Sequence, residues 1–286
     1  MSAPPITIPG TEVHTLHSDI VGDDYEISVV PPPPIFGTGP FPVVYVLDGN
    51  LQIGRAVADA RQLMAGGEIG PVYVVGIGYP RGADPAVSFP LRNRDLTPSR
   101  NDDLAARTAG RWGLQLQDVP TGGGAEFLGF LTGELRPFLA EQYSIADTST
   151  IFGQSLAATF AVWALFRQTD AFQRYVIVSP MPMGDDDPAR WEAEYAAAHS
   201  DLDARVFLAS GADEGIPGPF APADLAAQFS QNQPECTRLT RELGHTLESR
   251  QYPNLCLETH IVPGMTHFTI PGFAFPQGLR YVFAPA

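Results

Sequence analysis

The stretch of sequence with the clearest chemical potential surrounds Ser155. Two apolar residues, Ile151 and Phe152, lead into Gly153-Gln154-Ser155-Leu156-Ala157, and an apolar, alanine-rich helical pattern follows at once. The order of strand, Gly-x-Ser-x-small and helix is the context of a nucleophile elbow, whose tight turn needs small residues two before and two after the serine. The pattern predicts an exposed Ser155 hydroxyl at a strand tip. The alternative is a serine in an ordinary strand-to-helix turn.

A serine hydroxyl becomes a useful nucleophile near neutral pH only with a base and an acid to hold that base. His267 is the predicted base, because it lies in a loop just after the last predicted strand, whereas His260 lies within that strand. Glu214 and Asp213 follow the preceding strand; we favour Glu214, although only one of the two can point at His267. Serine, acid and histidine then occur in the chain order of α/β-hydrolases.

Two backbone N–H groups are candidates for stabilising an oxyanion. The first belongs to Leu156, at the start of the helix that follows the serine, where the helix dipole favours negative charge. The second comes from the turn Asp48-Gly49-Asn50-Leu51, which directly follows the apolar run Pro42 to Leu47.

Polar and apolar residues near the predicted catalytic face are candidates for substrate contact. A predicted polar loop carries Arg92 and Arg94, whose guanidinium groups could orient an acidic or polyhydroxyl substrate. An Arg–Asp pair that braces the loop is the alternative. The apolar candidates are Leu51, in the oxyanion turn, and Phe268, which follows the predicted base.

The arrangement of apolar runs predicts an α/β fold. The runs Pro42 to Leu47 and Val72 to Gly78 enclose a helical pattern, which is the βαβ rhythm of a parallel sheet. Residues 11–30 alternate loosely, as antiparallel strands at a sheet edge do. We therefore predict one α/β-hydrolase domain over residues 1–286, with a mostly parallel central sheet, an antiparallel N-terminal edge and helices on both faces. Insertions near 81–122, 181–203 and 215–254 are predicted to form the pocket.

Composition excludes several classes of function. The 286-residue chain has 44% hydrophobic residues and a formal charge of −15, and all 17 basic residues are arginines. The absence of lysine excludes a P-loop lysine, a Schiff-base lysine and a serine–lysine dyad, and the acidic balance argues against nucleic-acid partners. No window suits a membrane span, and the first residues lack the features of a signal peptide. We expect a cytoplasmic enzyme of a small-molecule substrate.

No metal or cofactor is predicted. Cys236 and Cys256 lack metal-ligand spacing, and we expect two unpaired thiols, with a disulfide between them left open. The run Asp185-Asp186-Asp187 precedes Pro188, and its carboxylates are expected at a helix start, where they are favourable, instead of on a metal ion.

Several motifs together resemble a known family. They are Tyr45-Val46-Leu47-Asp48-Gly49-Asn50, Arg94-Asp95-Leu96-Thr97-Pro98, Gly153-Gln154-Ser155, Ser179-Pro180 and Pro263-Gly264-Met265-Thr266-His267. The chain resembles, from about Glu12 to Phe283, the esterase family of α/β-hydrolases that includes siderophore trilactone esterases, S-formylglutathione hydrolases, feruloyl esterases and mycolyltransferases. It is most similar to the siderophore-esterase branch.

The resemblance implies specific roles. It assigns the triad to Ser155, His267 and Glu214 (or Asp213), and the second oxyanion N–H to Asn50. The chain departs from the branch in having Ala157-Ala158 where paired glycines are usual and Met265 where glutamate is common. Its acidic balance argues against a ferric trilactone substrate. We expect a serine carboxylic-ester hydrolase; the alternatives are an acyltransferase that uses the same serine and a non-catalytic binding module.

Overall fold

The computed structural model of the protein describes residues 7–80, 84–184 and 187–285. Eight strands form one sheet: β1 (Glu12–Ser18), β2 (Asp23–Val30), β3 (Phe41–Val46), β4 (Tyr73–Gly78), β5 (Ile145–Gln154), β6 (Arg174–Val178), β7 (Ala204–Gly211) and β8 (Leu255–Val262). The α-helices are α1 (Gly49–Ala65), α2 (Pro85–Leu96), α3 (Asp102–Trp112), α4 (Gly124–Phe130), α5 (Arg136–Gln142), α6 (Leu156–Arg167), α7 (Pro188–Ala198), α8 (Ala223–Arg250) and α9 (Ile270–Val282).

The strand order across the sheet is β1-β2-β4-β3-β5-β6-β7-β8. β1 pairs antiparallel with β2, and β2 pairs antiparallel with β4. All the remaining pairs are parallel. This topology confirms the predicted mostly parallel sheet with an antiparallel N-terminal edge. The carboxyl ends of β3, β5, β6, β7 and β8 consequently lie along one edge, where sheets of this kind place their chemistry.

The apolar run in β3 shows why the sheet is covered on both sides. Val43 and Tyr45 belong to one buried cluster and Val44 and Val46 to the other, because successive side chains of a strand point to opposite faces. α1 and α9 pack on the face of Val44, and α4 and α6 pack on the face of Tyr45. The predicted helices on both faces are confirmed.

The helix that precedes β5 contains a wider turn. α4 and α5 are joined by a π-helical turn at Leu131–Leu135, which ends two residues before Pro137. Proline has no N–H to donate and its ring crowds the carbonyl four residues earlier. A turn with a longer hydrogen-bond spacing just before Pro137 relieves that conflict.

Two predictions about the segments between strands are corrected. The predicted polar loop with Arg92 and Arg94 is the C-terminal half of α2, which begins with an Asp84 cap, whose side chain accepts from the Ala86 N–H at 3.0 Å. Within the segment 215–254 the sequence favours a helix over about Glu235 to Ser249, and the structure has the longer helix α8 there. Both segments have a proline inside the helix, which weakened the helical pattern in the sequence.

The remaining structural expectations concern cysteines and aspartates. Cys236 is buried and Cys256 is exposed, and neither forms a disulfide. Asp187 caps α7 by accepting from the Ala189 N–H at 2.9 Å, while Asp185 and Asp186 lie outside the described residues. Across the described parts of the chain, none of the helices combines the length and the apolar character needed to cross a lipid bilayer.

Candidate active site

Ser155 lies in the tight turn between β5 and α6. Its backbone has φ 62° and ψ −125°, a conformation that costs energy for a residue other than glycine. The Ser155 N–H donates to the Val178 carbonyl of β6 at 2.9 Å, which holds the turn against the sheet. A Cβ atom on Gly153 would lie 2.3 Å from the Ala157 carbonyl oxygen, so the chain has no room for a side chain there. The backbone thus has the geometry of a nucleophile elbow.

Glu214 and His267 are joined directly. The Glu214 carboxylate is fully buried in the turn after β7, and its Oε2 accepts from His267 Nδ1 at 2.7 Å. Its Oε1 accepts from the Gly211 N–H at 3.0 Å and from the Ser179 hydroxyl. Asp213 is half-buried, and its backbone N–H donates to the Met265 carbonyl at 3.0 Å. Of the two carboxylates that the sequence left open, Glu214 is the one that contacts His267.

Backbone contacts join the turn after β7, which carries Glu214, to the loop after β8, which carries His267. We call these segments the acid turn and the histidine loop. The Ala212 N–H donates to the Val262 carbonyl at 2.9 Å. A Cβ atom on Gly211 would lie 2.0 Å from the Met265 carbonyl oxygen, so the end of β7 approaches the loop after β8 as closely as glycine permits. These contacts fix the relative position of Glu214 and His267.

Two glutamines connect the histidine loop to the elbow and to α1. Gln154 Nε2 donates to the His267 carbonyl at 2.7 Å, and Gln52 Nε2 donates to Gln154 Oε1 at 2.8 Å. Because Gln154 precedes Ser155, this chain of amides holds His267 beside the serine turn. It also brings Leu51, the neighbour of Gln52, to the same site.

The Ser155 hydroxyl contacts a thioether. Its Oγ lies 2.8 Å from Met181 Sδ, and within the described residues no hydrogen bond joins it to His267. Thr159 fixes the Met181 backbone, since its Oγ1 lies 2.8 Å from the Met181 N and donates to the Met181 carbonyl at 2.9 Å. A thioether is a weak acceptor, so this contact holds the Ser155 hydroxyl only weakly.

Leu156 and Asn50 each lie at a helix start near the elbow. Leu156 is the first residue of α6 and Asn50 the second of α1, positions whose N–H groups have no partner within the helix. The Asn50 side chain fixes the start of α1 by accepting from the Tyr79 N–H at 2.7 Å and donating to the Tyr79 carbonyl at 3.1 Å. The next helix residue to the N-terminal side, Gly49, packs so closely on β4 that a Cβ would lie 2.8 Å from the Ile77 nitrogen.

Arg92 forms a bidentate ion pair with Asp48, the residue that precedes α1. The Nε–Oδ1 distance is 2.7 Å and the NH2–Oδ2 distance is 2.8 Å. Burial lowers the pKa of Arg92, but the Asp48 carboxylate more than offsets this effect and the pKa is raised overall. Asp48 has a φ of 55°. The pair therefore braces a strained residue at the turn that begins α1.

Arg94 lies in a second buried charge cluster. It donates to Asp95 Oδ1 at 2.7 Å and to Asp23 Oδ2 at 2.8 Å, and Tyr25 donates to Asp95 Oδ2 at 2.8 Å. Burial raises the pKa of Asp95, and Arg94 opposes that rise. Both arginines that the sequence indicated for substrate contact thus bond to carboxylates of the chain itself, the geometry of the bracing alternative.

Leu51 and Phe268 are apolar and open to solvent. Their exposed fractions are 68% and 60%, which is high for large apolar side chains. The Phe268 ring meets the His267 ring edge-on with 5.5 Å between centroids. Leu51 lies in the first turn of α1, and Phe268 follows His267 in the loop after β8.

One group of side chains has ligand atoms that could hold a metal ion. These atoms, from Glu214, Cys236 and His267, all lie within 4.8 Å of one another. An ion there would have to replace the hydrogen bond between Glu214 and His267. Burial, with the nearby Glu214 charge, raises the pKa of the Cys236 thiol well above its usual range, which keeps it protonated and a poor ligand. The groups around Glu214 are therefore better suited to hydrogen-bonding its carboxylate than to binding a metal ion.

Four side chains of the site were not anticipated from the sequence. Ser179, Gln154 and Met181 each contact a predicted site residue, and Gln52 contacts Gln154. The sequence could have indicated Ser179, because this residue directly follows a buried strand whose carboxyl end lies at the same edge of the sheet as Ser155. The contacts of the other three join segments distant in the chain.

The chain is similar to known proteins in sequence and in fold. Residues 18–260 match the protein family described as "Putative esterase". The chain is 37% identical over 185 residues to the ferri-bacillibactin esterase BesA of Bacillus subtilis, a match that covers 61% of this chain and 59% of that relative. It is similar in structure to the BES protein from Bacillus cereus (TM-score 0.76, 24% identity, 100% and 99% of the two chains) and to the siderophore hydrolase EstA from Aspergillus nidulans (TM-score 0.78, 22% identity, 98% and 97%). The family match spans most of the sequence, and the chain belongs to this esterase family.

Proposed function

We propose that this protein hydrolyses carboxylic esters through a serine acyl-enzyme. The observation that carries the proposal is the buried Glu214–His267 hydrogen bond of 2.7 Å, held beside the strained elbow of Ser155. A carboxylate on Nδ1 fixes the imidazole tautomer with Nε2 free to accept a proton. Family membership, and the esterase named among the relatives, support the same reaction.

The proposed first step forms the acyl-enzyme. Ser155 Oγ attacks the ester carbonyl carbon as its proton passes to His267 Nε2, and Glu214 stabilises the imidazolium. The N–H groups of Leu156 and Asn50 donate to the oxyanion. His267 returns the proton to the departing alkoxide, so the alcohol leaves and the acyl group stays on Ser155.

The second step releases the acid. His267 takes a proton from water as the water oxygen attacks the acyl carbon, and the tetrahedral intermediate collapses to the free acid while His267 gives that proton to the departing Ser155 Oγ. Arg92 serves the oxyanion turn indirectly, through its ion pair with Asp48. Leu51 and Phe268 are the proposed apolar contacts of the acyl or alcohol group.

The proposed substrate is a small to medium ester without strong negative charge. The named relative acts on a ferri-siderophore, but this chain carries a formal charge of −15 and engages Arg92 and Arg94 in internal ion pairs. Like charges raise the free energy of bringing an anion to such a surface.

Turnover of p-nitrophenyl esters by Ser155→Ala and His267→Ala variants tests the proposal. Each variant should lose about 10³-fold or more in kcat, because the triad acts as a unit. His260→Ala is the matched control, since His260 lies within β8 and contacts Glu258; it should keep nearly full activity. Activity that survives in both triad variants would contradict the mechanism, whereas an unmodified protein that turns over no ester would favour the non-catalytic binding module.

Transfer of the acyl group to an alcohol is the second candidate. The exposed Leu51 and Phe268 favour it, because apolar walls can admit an alcohol in preference to water. Added methanol or glycerol would divert the acyl group into a new ester, which mass spectrometry detects. Release of free acid alone, at every alcohol concentration, would assign the enzyme to hydrolysis.

A further inference from the structure

Ser179 occupies an unusual position at the end of β6. It is fully buried and has a φ of 55°, a region that favours glycine. Its N–H donates to the Ala209 carbonyl of β7 at 2.8 Å, and the carbonyl of the preceding residue, Val178, accepts from the Ser155 N–H at 2.9 Å. Ser179 therefore lies between β7, the strand that precedes Glu214, and the turn that holds Ser155.

The Ser179 hydroxyl contacts the acid directly. It donates to Glu214 Oε1, the same oxygen that accepts from the Gly211 N–H at 3.0 Å, and Oε2 is left for His267. Loss of the hydroxyl would leave Oε1 with the backbone donor of Gly211, while the Cys236 thiol lies close to the same carboxylate. Because the carboxylate is fully buried, a lost partner is costly to replace. A glycine would suit the backbone at this position, so what serine adds there is its hydroxyl.

We propose that Ser179 is a positioning residue of the triad, which holds Glu214 so that its second oxygen faces His267. The inference rests on the proposed function. It extends the triad to a fourth side chain, and it couples the acid to the elbow, since residues 178 and 179 bond to Ser155 and Glu214 respectively.

The test compares Ser179→Ala and Ser179→Gly with the unmodified enzyme on a p-nitrophenyl ester. We expect kcat to fall about tenfold in both variants, the effect of one hydrogen bond to a charged group, with KM changed less than about twofold. The midpoint of the acidic limb of the kcat/KM profile should move to higher pH, because a carboxylate with one donor fewer holds the protonated imidazole more firmly. A purely structural role would not move that midpoint.

Ser210→Ala is the matched control. Ser210 is also a fully buried serine, near the end of β7, but its hydroxyl contacts Thr240 and the Cys236 carbonyl. It should keep the kcat and the pH profile of the unmodified enzyme.

Three results would overturn the inference. An unchanged kcat and pH midpoint in folded Ser179→Ala is the first, and an equal shift in Ser210→Ala is the second. Misfolding of both Ser179 variants, judged by circular dichroism, is the third, because the hydroxyl would then serve the fold and not the acid. Fluorophosphonate labelling separates the two proposals. An unmodified enzyme that does not label refutes the proposed function, whereas a labelled enzyme whose Ser179→Ala variant keeps the full kcat and the same pH midpoint refutes this inference alone.

Discussion

The two adjacent carboxylates after β7 differ in what they touch. Glu214 bonds to His267, Ser179 and the Gly211 N–H, whereas Asp213 contributes a backbone bond to Met265. One residue of difference turns the side chain from the buried site toward the surface, because successive positions in a turn point in different directions. The acid role therefore belongs to a single position in the proposed mechanism.

Substitution of each carboxylate by its amide tests this assignment. Glu214→Gln should lower kcat/KM by about 10³-fold or more, because an amide favours the wrong imidazole tautomer. Asp213→Asn, the matched control, should stay within about threefold of the unmodified enzyme. The measurement is ester turnover, and similar losses in the two variants would contradict the assignment.

At the scale of elements, the elbow is a tightly packed junction between β5 and α6. Gly153→Ala would bring a Cβ to 2.3 Å from the Ala157 carbonyl, which belongs to the backbone of α6 and cannot turn away. We expect a loss of about 3 kcal/mol in the free energy of unfolding, measured by urea denaturation.

Gly110→Ala in α3 is the control for that substitution. Nothing lies within 4 Å of a Cβ added at Gly110. Alanine there should stabilise the protein by about 0.5–1 kcal/mol, because it is the better helix former. Equal effects of the two substitutions would show that the elbow is looser than its geometry indicates.

The strands and the elbow could be predicted because their signals are local. The apolar run of β3, the alternation of β2 and the small residues around Ser155 each lie within a few positions in the sequence. α2 was missed because Pro90 and its mixed polar sequence hide the helical period. In the structure the helix forms despite Pro90, because Asp84 caps its N-terminus and Pro85 suits its first position.

The supporting side chains of the site could not be predicted, because their partners are far away in the chain. Arg92 is 44 residues from Asp48, and Gln154 is 113 residues from His267. The choice between Glu214 and Asp213 also depended on side-chain direction, which no periodicity encodes in an irregular turn. The sequence therefore predicts the candidate catalytic residues, whereas the side chains that position them follow only from the fold.

Net charge is the property of the whole molecule that bears on substrate choice. The chain is acidic and lacks lysine altogether. We expect kcat/KM for p-nitrophenyl butyrate to exceed that for the anionic mono-p-nitrophenyl glutarate by about tenfold or more at low salt, since repulsion slows encounter. Added salt should reduce this ratio, because it screens the repulsion between the acidic protein and the anionic ester. A higher kcat/KM for the anionic ester, with an advantage that decreases as salt is added, would indicate a cationic subsite and contradict this expectation.

Buried tyrosines make the whole fold sensitive to alkaline pH. Burial raises the pKa of Tyr25, Tyr79 and Tyr175 above the ordinary value of 10.0, and raises that of Tyr252 to about 12. Below pH 10 these groups are neutral in both states; above it the unfolded chain ionises and the folded chain does not, so the free energy of unfolding falls as pH rises.

Urea midpoints between pH 8 and 11 measure this loss. We expect a steady decline above pH 10 that is less steep in Tyr25→Phe, which removes one of the shifted hydroxyl groups. Tyrosinate absorbance should appear together with unfolding for the buried rings. A flat midpoint from pH 9 to 11 would contradict the expectation.

The most direct test of the central claim is the mass of the protein after reaction with a fluorophosphonate. The account predicts one adduct per chain, located by peptide mapping on Ser155, with none on Ser155→Ala and much slower labelling of His267→Ala. Labelling that persists in Ser155→Ala, or an unmodified protein that gains no mass, would contradict a serine nucleophile at this elbow.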